Sequence, residues 1–271
     1  MTPVDVVAGL LLALSPVWGG PLAAALPAER AATASVAAAS PAALLDLSDA
    51  ELRERIEADP SAVGSLSIGA PGGAVLFNAV PLPADPRWTS FAGAQLWATA
   101  ETIQCIDVAV ATVHQLFPDT PPIVIGDISD EDGGRLKRHE SHQGGRDVDL
   151  GFYHKGGPVP SFFTGTAANL DLPRNWAFVR ALVTRTDVER IFLDTRIQRL
   201  LYRYALDLGE DKAWLDRVFM FSRGYRDAII QHVPRHRNHY HVRFYSPVAQ
   251  EMGRRAHPML VEMGVLEPPV Y

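Results

Sequence analysis

The sequence predicts an α+β fold with a central antiparallel sheet flanked by helices. Short runs with period-two alternation, DVDLGFY (Asp147 to Tyr153) and HYHVRFY (His239 to Tyr245), read as half-buried strands. Other segments repeat apolar residues every three or four positions, the pattern of a helix packed by one face. The two kinds of element mix without the regular βαβ rhythm of a parallel sheet.

The elements follow in chain order. Residues 6–27 carry no charge and are mostly apolar, and Ala23-Ala24-Ala25 offers small residues for cleavage, so 1–27 reads as a secretory signal. Its n-region is atypical, with Asp5 and no Lys or Arg. Pro16, Gly19, Gly20 and Pro21 break the run before the roughly 20 residues of a membrane span accumulate. Residues 28–45 are Ala-rich, without periodicity or aromatics, and read as a linker. Ser48 with Glu51 three residues on forms a capping box, Leu47 and Leu52 suit a hydrophobic staple, and the helix stops at Asp59 before Pro60. Linker and short helix thus occupy 28–60, leaving 61–271 as the functional domain.

Within that domain, residues 64–85 alternate short apolar pieces with Gly, Pro and Asn, the signature of a hairpin. From Ala98 to Phe117 the spacing of Ile103, Ile106, Val110, Val113 and Leu116 predicts an amphipathic helix ended by Pro118. The β-branched run Pro121 to Ser129 predicts a strand. Helices are expected at Arg174 to Thr184 and Arg196 to Leu208, with a strand at Arg190 to Leu193 between them.

Composition narrows the function. The 271 residues are 47% hydrophobic, and 25 Lys+Arg against 31 Asp+Glu give a net charge of −6. A dedicated binder of nucleic acid or anionic membrane would carry a basic surface instead. The single cysteine, Cys105, excludes an intrachain disulfide. Inside a helix it reads as a small buried apolar residue rather than a ligand or nucleophile.

Nine histidines remain, five of them in two windows: His139 and His142 in the first, His236, His239 and His241 in the second. Side chains at i and i+2 of a strand share a face, so His239 points with His241, and Asp147 with Asp149. If the two strands are neighbours, two imidazoles and two carboxylates converge, and Gly144-Gly145 lets the chain turn His142 back toward Asp149. A His-Asp-His zinc site results, because zinc takes imidazole and carboxylate and a catalytic site leaves one position for water. A solvent-facing strand would show the same alternation, Gly144 to Asp147 reads equally as a turn, and Arg235-His236-Arg237 reads as a basic rim. A nuclease using the HxH with Arg235, Arg237 and Arg243 is disfavoured by the net charge.

SHQGGRDVDLGFY (Ser141 to Tyr153) and NHYHVRF (Asn238 to Phe244) resemble the two metal-site motifs of the penicillin-insensitive murein endopeptidases, within the lysostaphin, D-Ala-D-Ala and hedgehog-like zinc group. The shared His-x6-Asp and distant His-x-His read here as His142, Asp149, His239 and His241. GSLSIGAP, IVIGDIS and ERIFLDTRIQRLL extend the resemblance over roughly 64 to 247, with the first 60 residues and the tail after Ser246 outside it. The resemblance implies zinc held by His142, Asp149 and His241, with His139 a further contact when more than one ion binds. His239 and His236 then do the acid-base work. It also implies D-alanyl crosslinks of peptidoglycan peptide stems as substrate, the periplasm as location, and no stable membrane insertion after export. Arg146 is expected either to pair with Asp147 or to bind a stem carboxylate. Two alternatives stay open: a D,D-carboxypeptidase or dipeptidase on uncrosslinked stems, and a non-catalytic zinc-containing wall-binding module.

Overall fold

Ser48 starts the first regular helix as its sequence requires. Its hydroxyl accepts the Glu51 N–H, and the Glu51 carboxylate accepts the Ser48 N–H in return. This helix, α1 (Asp49–Ala58), and all that follows come from a computed structural model, which describes residues 41–223 and 226–267. These residues lie in one compact unit, Thr33–Tyr271. The unit Met1–Ala32, the signal-like segment 1–27 and most of the Ala-rich linker lie outside the described residues.

After α1 comes the expected hairpin, β1 (Leu66–Ala70) paired antiparallel with β2 (Gly73–Phe77). β3 (Val80–Pro81), β4 (Trp88–Ser90) and β5 (Trp97–Ala98) follow, β3 pairing with β5. Helix α2 (Ala100–Leu116) is capped by the Thr99 hydroxyl, which accepts the Thr102 N–H. Then come β6 (Ile123–Ile125), β7 (Asp147–Gly151), α3 (Leu172–Arg185), β8 (Val188–Leu193) and α4 (Thr195–Asp207). The chain ends with α5 (Lys212–Val218), α6 (Met220–Arg223), β9 (Ile230–His232), β10 (His239–Phe244) and α7 (Pro247–Glu262). No helix among the described residues is long and apolar enough to cross a membrane.

Six strands form the central sheet in the order β4-β6-β7-β10-β8-β9. Its heart, β6-β7-β10-β8, is antiparallel, as expected. The edge strands β4 and β9 pair parallel to β6 and β8. Each edge is joined to its neighbour through helices, α2 on one side and α4 to α6 on the other, and crossovers of that length return the chain in the same direction. The strand expected over Pro121 to Ser129 pairs regularly only at Ile123–Ile125. Beyond it the backbone still exchanges hydrogen bonds with Asp149: Gly126 N–H donates to the Asp149 carbonyl and Asp149 N–H to the Asp127 carbonyl.

Alternation sorts the two faces of the sheet. On β10, Tyr240, Val242 and Phe244 are fully buried with Val148 and Leu150 of β7 against a core supplied by α2, α3 and α4. Cys105 belongs to that core, and burial pushes its thiol up to about 11. The intervening side chains, His239, His241, Asp147 and Asp149, share the other face, which loops 126–146 and 152–171 border. A second apolar cluster joins α1 (Leu52, Ile56), β1 (Leu66, Ile68) and α7 (Met252, Met259, Leu260). The α7 N-terminus is held from α2, where the Glu101 carboxylate accepts the N–H groups of Val248 and Ala249.

Gly145 connects loop and sheet. Its φ is 68°, and a Cβ there would stand 2.9 Å from the Thr99 nitrogen and from both Leu76 methyls. Gly145→Ala is therefore expected to lower the unfolding free energy by about 1–3 kcal/mol, the sum of left-handed strain and a backbone collision. Chemical denaturation measures this, and an unchanged midpoint would contradict the turn's role.

Candidate metal centre

β10 and β7 pair with His241 opposite Asp149, Arg243 opposite Asp147 and His239 opposite Gly151. That register sets the HxH histidines over the aspartates. Asp149 is 5% exposed and acts as the hub. Its Oδ1 lies 3.4 Å from His142 Nε2, 3.5 Å from His239 Nε2 and 3.9 Å from His241 Nδ1, while its Oδ2 lies 4.0 Å from His139 Nδ1. Tilted ring contacts continue the cluster: His139 to His142 at 4.2 Å, His142 to His241 at 4.6 Å, and His236 to His239 at 5.0 Å.

The outer nitrogen of each of these rings is already committed to an acceptor. His142 Nδ1–H donates to the Ile128 carbonyl at 3.0 Å, His241 Nε2–H to Asp147 at 2.8 Å, His139 Nε2–H to Asp127 at 3.1 Å, and His239 Nδ1–H to the Asn238 side-chain oxygen at 2.8 Å. An acceptor on one nitrogen fixes the tautomer and leaves the other as a lone pair. All four lone pairs approach Asp149. A lone pair cannot donate to a carboxylate, so buried His142 Nε2 and Asp149 Oδ1 have no hydrogen-bond partner although they face each other. Two ligands bound at about 2.0–2.1 Å to a tetrahedral cation stand about 3.4 Å apart, close to the His142 to Asp149 separation. The donor atoms of His139, His142 and Asp149 all lie within 4.8 Å of one another, a group that can hold a metal ion.

Local structure prepares the site. His142 is fully buried with φ at 65°, an uncommon conformation for a residue with a Cβ, and its loop is backed by the hairpin. A Cβ at Gly144 would stand 2.7 Å from the Ser67 hydroxyl and 2.9 Å from Ala74, so only glycine lets loop and hairpin approach this closely.

The electrostatics follow from burial and pairing. Burial alone would raise the Asp149 and Asp147 carboxyls. For Asp149 the hydrogen bond it accepts when His142 is protonated, with the charges His239 and His241 carry in acid, outweighs it and holds the group well below the usual carboxylate range. For Asp147 the His241 hydrogen bond and the Arg243 guanidinium, 2.8 Å away, do the same. Burial lowers His239 to about 4, only partly offset by Asp149, and lowers His241 against the pull of Asp147. His142 is also lowered by burial, but in the metal-free protein a proton taken up on Nε2 would be donated to Asp149, and that contact wins and raises it.

Arg146 takes neither expected role. It is 4% exposed, donates to the Ser67 hydroxyl at 3.2 Å and the Phe244 carbonyl at 3.2 Å, and pairs with Glu189 at 3.4 Å. Asp147 instead pairs with Arg243 and His241, because its face of the sheet is theirs. Buried and engaged on three sides, Arg146 is structural. Sequence reasoning missed Asp127, which orients His139, and Phe162, whose ring stacks on His239 at 4.8 Å. Asp127 had a signal, a lone charge inside the apolar run IVIGDIS. Phe162 had none, since its loop meets β10 only in three dimensions.

A buried carboxylate faced by tautomer-fixed imidazoles from a loop and from the paired strand forms a histidine-carboxylate group of the kind that can hold a metal ion. The sequence matches the profile of the penicillin-insensitive murein endopeptidases over residues 67–265, and the chain belongs to that family. The match includes α7, so residues 247–265 of the tail, expected to lie outside the resemblance, are part of the family domain. No curated protein matches the chain.

Two predictions arise here. Asp147→Asn is expected to weaken metal binding about 10–100-fold, because the partner that orients His241 is lost. Competition against a chelating dye measures this, and unchanged affinity would refute the role. The second concerns the metal-free protein. His239 and His241 are depressed, so the unfolded chain binds more protons than the folded one between the ordinary histidine value of about 6.5 and their lowered values. Their stabilisation is complete above about pH 6.5 and is lost as pH falls toward 4. His142 has the opposite sign, its contribution fading as pH rises above about 6.5. The thermal midpoint should therefore fall on acidification from pH 6.5 to 4, less steeply in His239→Gln, and an identical slope in that variant would count against this origin.

Proposed function

We propose that this murein endopeptidase is an exported zinc enzyme that hydrolyses D-alanyl crosslinks between peptidoglycan peptide stems in the periplasm. The observation that carries the reading is the buried Asp149 carboxylate faced by imidazoles whose free nitrogens are already lone pairs. Neutral imidazole and carboxylate are the donors zinc prefers. His142, Asp149 and His241 would hold the ion, with His139 as a further ligand. His142 leans on a backbone carbonyl, while His241 and His139 each lean on a carboxylate, the arrangement that raises the basicity of a ligating histidine.

Held by these residues, zinc would supply Lewis acidity toward the scissile carbonyl and toward the attacking water. The chain's own residues handle the protons. His239 leans on a neutral amide rather than a carboxylate, which suits an acid-base role better than ligation. Burial keeps its Nε2 uncharged at neutral pH, with the lone pair directed at Asp149. His236 holds its Nδ1–H on the Pro234 carbonyl at 3.1 Å, and its ring lies 5.0 Å from His239 and 5.6 Å from His241. In the imidazolium form, which carries a proton on both ring nitrogens, its Nε2–H is the group we assign to protonating the leaving amine. Ser141 is no substitute nucleophile: its hydroxyl donates to Asp147 at 3.3 Å, and the neighbouring His241 Nε2 already carries a proton. Without an acyl-enzyme, β-lactams have nothing to trap.

Crosslinked muropeptide dimers test the reading, with products followed by mass spectrometry. Chelation should abolish cleavage and zinc should restore it, and His241→Ala should lose both metal and activity. His239→Ala should keep zinc while turnover drops about 10²–10⁴-fold. Cleavage that survives chelation and His241→Ala would refute the zinc mechanism. Trimming of uncrosslinked stems with dimers left whole would instead identify a carboxypeptidase.

A further inference from the structure

Phe162 lies in the loop after β7, outside both histidine windows, and its ring stacks on His239 with centroids 4.8 Å apart and planes 18° from parallel. The stack is built from several sides. Phe91, just beyond β4, meets the Phe162 ring edge-on at 5.5 Å and 87°. Two glycines make the seat: a Cβ at Gly126 would stand 2.6 Å from Phe162 Cζ, and one at Gly151 would stand 3.5 Å from its Cδ1. Gly151 is also the residue opposite His239 in the β7-β10 register. The loop is fastened beside the same strand, since Gly165 N–H donates to the carbonyl of Arg237, two residues before His239, at 2.7 Å. Asn169 ties the loop to itself, donating to the Thr164 carbonyl and accepting the Lys155 N–H on its own carbonyl.

His239 is otherwise held by one side-chain hydrogen bond, to the adjacent Asn238. A single bond from a neighbouring residue leaves the ring free to tilt about it. A flat aromatic face packed on the imidazole removes that freedom and keeps water off one side. The geometry points to Phe162 as a positioning residue that holds the His239 ring plane, so that Nε2 keeps its aim at Asp149. The proposal rests on the reading of His239 as the acid-base residue. Phe162 itself touches no reacting atom.

The test uses full-length enzyme loaded with zinc and crosslinked muropeptide dimers, comparing Phe162→Ala, Gly126→Ala, the double variant and His239→Ala. Gly126→Ala pushes the Phe162 ring off its seat, its Cβ standing 2.6 Å from Phe162 Cζ and 3.1 Å from Phe91 Cζ, without changing Phe162 or His239, so it provides a second route if Phe162→Ala folds poorly. Each single variant is expected to lower kcat about 10–100-fold with KM within about threefold and zinc content unchanged, since small misplacements of a catalytic group cost about this much. Gly126→Ala should add less than about twofold in the Phe162→Ala background, because the ring it meets most closely is gone and Phe91 can relax into the space left. A kcat within twofold of wild type in both single variants, while His239→Ala is inactive, overturns the proposal. So does a KM that rises with unchanged kcat, which would make the loop a substrate contact, or loss of zinc in both single variants. Full turnover in His239→Ala would mark a different failure, that of the acid-base reading beneath the proposal.

Discussion

Everything at the functional face depends on keeping one carboxylate charged inside the protein. Burying Asp149 away from water is costly unless charge or hydrogen bonds answer it. The fold answers with imidazoles from two distant stretches of chain. Because the backbones of β7 and β10 are hydrogen-bonded to each other, the separation between carboxylate and imidazole is fixed by the ladder rather than by flexible side chains. Rigid elements hold a reactive constellation more tightly than loops can, and of the rings that approach Asp149 only His139 and His142 arrive on a loop. That loop is the one braced by the hairpin through Gly144 and Gly145.

A second buried carboxylate supports the first. Asp147 is shared by His241 and Arg243, with the Ser141 hydroxyl as a third donor. Two aspartates on one face of a strand would repel each other if both were bare. Arg243 on the neighbouring strand neutralises one of them, and Asp149 remains the acid whose lone pairs look outward. The same division explains why Arg146, next in sequence to Asp147, turns to Glu189 and the Phe244 carbonyl: it lies on the opposite side of the pleat.

Much of this was legible in the sequence because period-two alternation encodes a face directly. The HxH and DxD strands, the hairpin, the capping box and the amphipathic α2 all carry local signals, and the convergence of two histidine windows follows once the strands are neighbours. Elements whose stability is tertiary were harder to read. Helix α7 contains Gly253 and Pro258, both local breakers, yet Gly253 is what lets it approach the Ser67 carbonyl, where a Cβ would stand only 2.8 Å away. The edge strands β4 and β9 are three residues each, too short to show a period. Asp127 could have been suspected as a lone charge in an apolar run, but Phe162 acts on His239 only through space, so its role was invisible until the chain was folded.

The strict alternation of β10 has a consequence for how this protein can fail. Three of its residues build the apolar core, and the three between them face the aspartates. A slip of one position against β7 would drive His239, His241 and Arg243 into the helical layer while carrying Tyr240, Val242 and Phe244 out of it. Such a chain would lose its core together with its chemistry. A stably folded but mis-registered and inactive form is thereby excluded, so folding serves as its own proofreading of the site.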